Sequence, residues 1–134
     1  MVFKPHPELV KYVNLIDINE KVKIATNEKY VDLFNYSSLL ITDYSSVFFD
    51  FAYLKKPVIY FQSNEYHYTE GYFDYETMGF GDVISSNECL IDKIKFYLSV
   101  NCKMEEKYQE RVDKFYKYFD KNNSKRVYEW ILAH

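Results

Sequence analysis

Thr42, Asp43, Tyr44, Ser45 and Ser46 follow one apolar run, Leu39-Leu40-Ile41, and precede another, Val47 to Ala52. Hydroxyls and backbone N–H groups gathered between a strand and a helix start can grip an anion, because the first N–H groups of a helix have no partner inside it. A phosphate suits that chemistry, which points to a nucleotide or phosphate ester as ligand. Ser45 reads as the helix N-cap, and Ser46 offers a hydroxyl and an N–H. Asp43 would repel a bare phosphate, so it either fixes the loop or accepts from a ligand hydroxyl. An ordinary capped helix start is the plain alternative, and it needs only one such residue.

His6 is a second candidate. It stands in Lys4-Pro5-His6-Pro7, directly after the apolar pair Val2-Phe3. Parallel strands bring their carboxyl ends to one edge, where ligands bind in open α/β sheets. The reading therefore predicts His6 and Ser45 at one cleft, with Lys4 adding positive charge. The imidazole there donates to a phosphate or moves a proton; a solvent-facing loop histidine is the alternative. His67 and His134 are weaker, and without cysteine or carboxylate at ligand spacing a zinc site is not expected.

The third candidate is Tyr66-His67-Tyr68-Thr69-Glu70-Gly71-Tyr72-Phe73-Asp74-Tyr75. Aromatics interleaved with polar groups can stack a base or sugar, and Gly71 lets the backbone fold over a ligand. A tyrosine-rich loop packing on its own domain is the competing reading. No GxGxxG and no P-loop lysine motif occurs, so the usual fingerprints of dinucleotide binding and ATP hydrolysis are missing.

These residues need a scaffold. The pattern predicts strands at Val2–Lys4, Val22–Ala25, Leu39–Thr42 and Val58–Phe61. Helices are predicted over Glu8–Asn14, around Tyr30–Phe34 and from Val47 to Leu54, the last stopped by Pro57. This alternation implies a parallel sheet covered by helices on both faces, a Rossmann-like α/β fold. Gln62 to Gly81 reads as one long loop holding all three glycines. Ser85 reads as the cap of a capping box with Glu88, opening a helix through Leu98. Tyr108, Val112, Phe115 and Phe119 mark another helix, and Val127, Trp130 and Ile131 a last one. The C-terminal segment is thus expected to be all helical.

Composition narrows the class. A chain of 134 residues suits one domain, 1–134, with a core of its own. The formal charge of −3 argues against a nucleic-acid partner, since such domains are usually basic. No apolar run reaches the roughly 18 residues of a membrane span, and the N-terminus does not read as a signal peptide. Cys89 and Cys102 lack metal-ligand spacing, which suits a reducing, cytoplasmic setting. Much of the tyrosine, 15 residues in all, is expected to line surfaces or grooves, because a buried phenol needs a hydrogen-bond partner. The basic residues from Lys103 to Lys117 alternate with carboxylates and read as a solvated face, not a lipid anchor.

Ile41-Thr42-Asp43-Tyr44-Ser45-Ser46-Val47-Phe48-Phe49-Asp50-Phe51-Ala52, followed by Lys56-Pro57-Val58-Ile59-Tyr60, resembles the signature of the CDP-glycerol glycerophosphotransferases, the teichoic-acid primases and polymerases. Lys4-Pro5-His6-Pro7, Tyr30 to Phe34, Gly71-Tyr72-Phe73-Asp74 and Ser124 to Ile131 resemble further elements of that family in the same order. The resemblance implies the C-terminal, donor-binding domain of a GT-B enzyme, truncated here and lacking its N-terminal Rossmann-like partner. It implies a CDP-activated polyol phosphate as donor, a lipid-linked acceptor met through the full-length enzyme at the inner membrane face, CMP as leaving group, and no cofactor. His6 would be catalytic through the donor phosphates. Thr42, Asp43, Ser45 and Ser46 would form the donor loop, with Gly71 and Asp74 at the cleft. Attack on a pyrophosphate builds charge that histidine and amide groups stabilise without a protein-bound metal. One departure matters: where many members carry Arg-Gly-aromatic and a later Gly-Pro, this chain has Glu70-Gly71-Tyr72 and Gly79-Phe80-Gly81-Asp82. The missing arginine removes a bidentate phosphate donor and leaves glycerol, ribitol, another polyol or a nucleotide sugar open. Two readings outside this family compete: a receiver-like signalling domain, which lacks its acidic pair after the first strand, and a docking module using the tyrosine-rich loop.

Overall fold

Val58, Ile59 and Tyr60 are fully buried and form the middle of the larger sheet. A strand buried on both faces reads as a continuous apolar run, and this one does. The computed structural model describes residues 1–62 and 73–134, in two compact units, Met1–Ser37 and Ser38–His134.

In the first unit, β1 (Val2–Phe3) pairs in parallel with β2 (Lys23–Ile24), Phe3 opposite Ile24. Pro7–Leu15 forms a 3-10 helix and Tyr30–Tyr36 forms α1. Proline at the first helical position fits, because no N–H is needed there. Lys4 Nζ donates to the carbonyls of Thr26 and Glu28, both at 3.0 Å, and lies 5.7 Å from the Tyr30 ring centre. Its charge thus ties the loop after β2 to the end of β1.

The second unit holds a parallel sheet in the order β3-β4-β5. β3 is Leu40–Thr42, β4 is Val58–Phe61 and β5 is Gly81–Ile84. Leu40 stands opposite Val58, Thr42 opposite Tyr60, Val58 opposite Gly81 and Phe61 opposite Ile84. Helix α2 (Val47–Tyr53) connects β3 to β4 and buries Phe48, Phe51 and Ala52. Leu54, expected on that face, is instead 44% exposed, because the helix has ended and Lys55 turns left-handed at φ 55°. Small parallel sheets flanked by helices make the α/β, Rossmann-like architecture that the alternating pattern predicts.

Several boundaries differ from the sequence reading. The stretch expected to be loop up to Gly81 contains a helical turn, α3 (Tyr75–Met78), and runs into β5. Gly81 serves packing: a Cβ there would lie 1.8 Å from the Val58 carbonyl oxygen. Helix α4 (Asn87–Ser99) is capped by Ser86, not Ser85, with the Ser86 hydroxyl accepting from Cys89 N–H at 3.2 Å. That shift moves Glu88 to the second helical position, one short of a capping box. Helix α5 (Glu106–Phe115) stops before Phe119, whose ring instead stacks on Tyr53 at 4.9 Å. The last helix, α6 (Asn123–Ala133), buries no residue.

Aromatic side chains make much of the second unit's core, and among the described tyrosines Tyr60, Tyr97 and Tyr108 are buried. Phe48 meets Tyr60 at 5.0 Å, Phe73 at 5.3 Å and Tyr75 at 5.8 Å. Phe80 and Phe115 meet at 5.4 Å. Each buried phenol has a polar partner: Tyr60 Oη accepts from Phe80 N–H at 3.1 Å, Tyr97 donates to Glu105 at 3.1 Å and Tyr108 donates to Asp82 at 2.6 Å. Those bonds let tyrosine replace phenylalanine inside without an unpaired hydroxyl.

Candidate functional site

The loop Asp43–Ser46 lies where β3 ends and α2 begins, at the carboxyl edge of a parallel sheet. Thr42 closes β3 opposite Tyr60 and is half-buried, while Asp43, Ser45 and Ser46 are exposed. Asp43 Oδ1 accepts from Ser45 N–H at 3.2 Å, which folds the loop back on itself as an Asx turn does. Ser45 Oγ lies 3.5 Å from Val47 N, a weak capping contact. Ser46 occupies the N-cap position in helical conformation, φ −65° and ψ −7°, and its side chain makes no capping bond. The sequence reading made Ser45 the cap; the structure moves the position one residue on and leaves Ser45 only the long contact. With seven residues α2 has a short dipole, so an anion here would meet the loop's own hydroxyls and amides.

Two neighbours frame the loop. Gln62 Nε2 donates to the Asp43 carbonyl at 3.3 Å. The Tyr44 ring meets the edge of Tyr75 at 6.4 Å, and Tyr75 packs on Phe48 and Tyr60. The Asp74–Tyr75 segment and the Thr42–Ser46 loop thus border each other through those two rings. Asp74 itself caps α3: its Oδ1 accepts from Thr77 N–H at 2.6 Å and from the Thr77 hydroxyl at 2.7 Å. These bonds hold its carboxyl below the usual carboxylate range. Gly71 and His67 lie outside the described residues.

His6 belongs to the first unit and is exposed. It caps the 3-10 helix, its Nδ1 accepting from Glu8 N–H at 3.4 Å. A neutral ring holding that bond carries its proton on Nε2, so an N–H faces outward as a donor. Among the described residues, no three His, Cys, Asp or Glu side chains gather as a metal site requires.

A second polar cluster sits under β5. Lys93 Nζ lies 2.6 Å from both Asp82 Oδ2 and Glu105 Oε1, and Lys107 lies 3.5 Å from Asp82. The buried Oδ2 of Asp82 faces the Lys93 ammonium as an ion pair. Burial pushes the Asp82 carboxyl up, but Lys93, Tyr108 and Lys107 outweigh it and hold it below the ordinary value. Burial likewise pushes Lys93 down, and its two carboxylates outweigh that and raise it. Burial and the facing carboxylates push the phenols of Tyr97 and Tyr108 far up, so both stay donors. An open groove of about 590 Å³ is lined by Asp82 and Lys93 of this cluster together with residues including Ile84, Ser86, Cys89 and Phe96, and by none of the Asp43–Ser46 loop.

The profile of one family, CDP-Glycerol:Poly(glycerophosphate) glycerophosphotransferase, matches residues 1–133. The chain belongs to this family. It is 47% identical over 134 residues to the minor teichoic acid biosynthesis protein GgaB of Bacillus subtilis strain 168, covering 98% of this chain and 15% of that protein. It is 30% identical to the teichoic acid poly(glycerol phosphate) polymerase of Bacillus spizizenii W23, covering 99% of this chain and 34% of the relative. To the teichoic acid ribitol-phosphate polymerase TarL of Staphylococcus aureus it is 30% identical, covering 95% and 23%. The chain therefore spans about a third or less of each of these relatives. No solved structure matches it significantly. Family membership removes the receiver-domain reading. Among the described residues, no helix is long and apolar enough to cross a membrane.

Sequence reasoning missed Gln62. Its signal was available: a lone amide directly after the apolar run Val58-Ile59-Tyr60-Phe61, at the same sheet edge as the motif loop.

Proposed function

We propose that this chain is the donor-binding part of a transferase that moves a polyol phosphate from a CDP-activated donor to a teichoic-acid-type polymer. The observation that carries this reading is the Thr42–Ser46 motif of a glycerophosphotransferase family member, set as an exposed hydroxyl- and amide-rich loop at the carboxyl end of a parallel strand. In the reaction, an acceptor hydroxyl oxygen attacks the phosphorus that bears the polyol. The P–O bond to the bridging oxygen breaks, and CMP leaves with that electron pair. The acceptor proton passes to a base from elsewhere in the full-length enzyme. Ser45, Ser46 and the loop amides bind the diphosphate, and His6 keeps the role toward the donor phosphates that the family resemblance implies. Asp43 holds the loop through Ser45, and Thr42 and Asp74 border the donor. The remaining half of a GT-B fold supplies the acceptor side, and the lipid-linked acceptor brings the whole enzyme to the inner membrane face. The isolated chain transfers nothing.

Because relatives named for glycerol-phosphate and for ribitol-phosphate polymers align with the chain at the same 30% identity, the reading extends to CDP-polyols as a class. Calorimetric titration of the full-length protein with CDP-glycerol, CDP-ribitol, CDP and CMP tests it. Binding of the CDP compounds is expected, weakened in Ser46→Ala and His6→Ala. Absence of any CDP-dependent heat at millimolar ligand would sink the proposal.

A further inference from the structure

We propose that Gln62 is a positioning residue for the donor loop, an inference that rests on the donor-site reading above. Its backbone is fixed from one side: Gln62 N–H donates to the Ile84 carbonyl at 2.9 Å, one step past the β4–β5 register. Its side chain reaches the other way and donates through Nε2 to the Asp43 carbonyl at 3.3 Å. The opposite amide orientation would set Oε1 against a carbonyl oxygen, so the bond also fixes which way the amide points.

That bond has a consequence one peptide further on. The Asp43–Tyr44 peptide is trans, as are all described peptide bonds. In a trans peptide the C=O and N–H point in opposite directions. Holding the Asp43 carbonyl toward Gln62 therefore turns the Tyr44 N–H away from the end of β4. The Asp43 carboxylate separately takes the Ser45 N–H. Two consecutive peptide groups are thus oriented, one by Gln62 and one by Asp43, directly before the Ser45–Ser46 hydroxyls. β3 stops at Thr42, so no ladder bond does this work. The central strand sets the donor loop through one carboxamide, anchored in turn by β5.

The test compares Gln62→Met with Ser45→Ala and Ser46→Ala in the full-length enzyme, measuring donor KM, acceptor KM, kcat and the thermal midpoint. Methionine keeps the side chain's length and removes the donor. The expected result is a donor KM raised about three- to tenfold, the worth of one hydrogen bond, with kcat, acceptor KM and midpoint little changed. Gln62→Asn, which keeps an amide one methylene too short, is expected to match Gln62→Met and serves if that variant does not fold. An unchanged donor KM in both Gln62 variants, with Ser45→Ala or Ser46→Ala raising it, overturns the positioning role and leaves the donor site standing. No change of donor KM in any variant overturns the donor site and the inference with it. A fall in kcat, a rise in acceptor KM and a lower midpoint together mark a merely structural role, and that too overturns the inference.

Discussion

The Asp43–Ser46 loop and the Asp82–Lys93–Glu105 cluster both gather polar groups around one sheet, and they differ in what those groups face. Under β5, two carboxylates, two ammonium groups and two phenols contact one another at 2.6–3.6 Å, partly out of water. Charge there is balanced within the protein, and the cluster holds α4 and α5 to β5. After β3, the internal bonds are few and longer, 3.2 to 3.5 Å, and the serines and Asp43 lie exposed. One region is closed on itself; the other is shaped but leaves Asp43 and both serines exposed. Strength of charge pairing thus points to structure here, and open donor chemistry points to the site.

Lys93→Met breaks this contrast most forcefully. It removes the nearer of the two ammonium groups that Asp82 and Glu105 share and leaves only Lys107 at 3.5–3.6 Å, and unfolding in urea is expected to show a loss of about 2–3 kcal/mol, below the fully buried figure because solvent screens the group in part. Donor KM in the folded enzyme stays as it was; a large rise would mean the two regions are not separate. Ser46→Ala should do the reverse, cutting turnover at limiting donor about tenfold while the thermal midpoint holds.

Acid sharpens the comparison further. Asp82 has its pKa lowered by folding, so its contribution is present above the ordinary carboxylate value of about 4 and fades as pH falls through the lower folded value. Lys93 is raised, so its contribution is full below the ordinary lysine value of about 10.4 and is lost as pH climbs past it. Thermal midpoints taken from pH 7 to 2 should fall less steeply in Lys93→Met than in the wild type. Equal slopes would deny that the ion pair shapes acid stability.

Smaller effects belong to single hydrogen bonds. Tyr108→Phe removes one donor to Asp82 and should cost about 1 kcal/mol in urea unfolding. Asp74→Ala removes the α3 cap, and faster amide exchange at Thr77 is expected with little change in global stability. Retained protection at Thr77 would show that the aromatic packing of Tyr75, not the cap, holds this turn.

The residues by themselves determined the parallel α/β alternation, the buried β4 run and the motif loop at the end of β3, because apolar period and turn chemistry are local properties of the chain. They also carried the family. Contacts between segments distant in sequence were decided only in three dimensions. Gly81 reads as loop until Val58 lies against it; Phe119 reads as helix face until Tyr53 takes its ring. Lys4 reads as a charge for a ligand until the carbonyls of Thr26 and Glu28 claim it. Gln62 reads as a strand end until Asp43 arrives beside it. In each case the partner is about 20 or more residues away, and a hydrogen bond or ring contact forms over a few ångströms that only the folded chain can close.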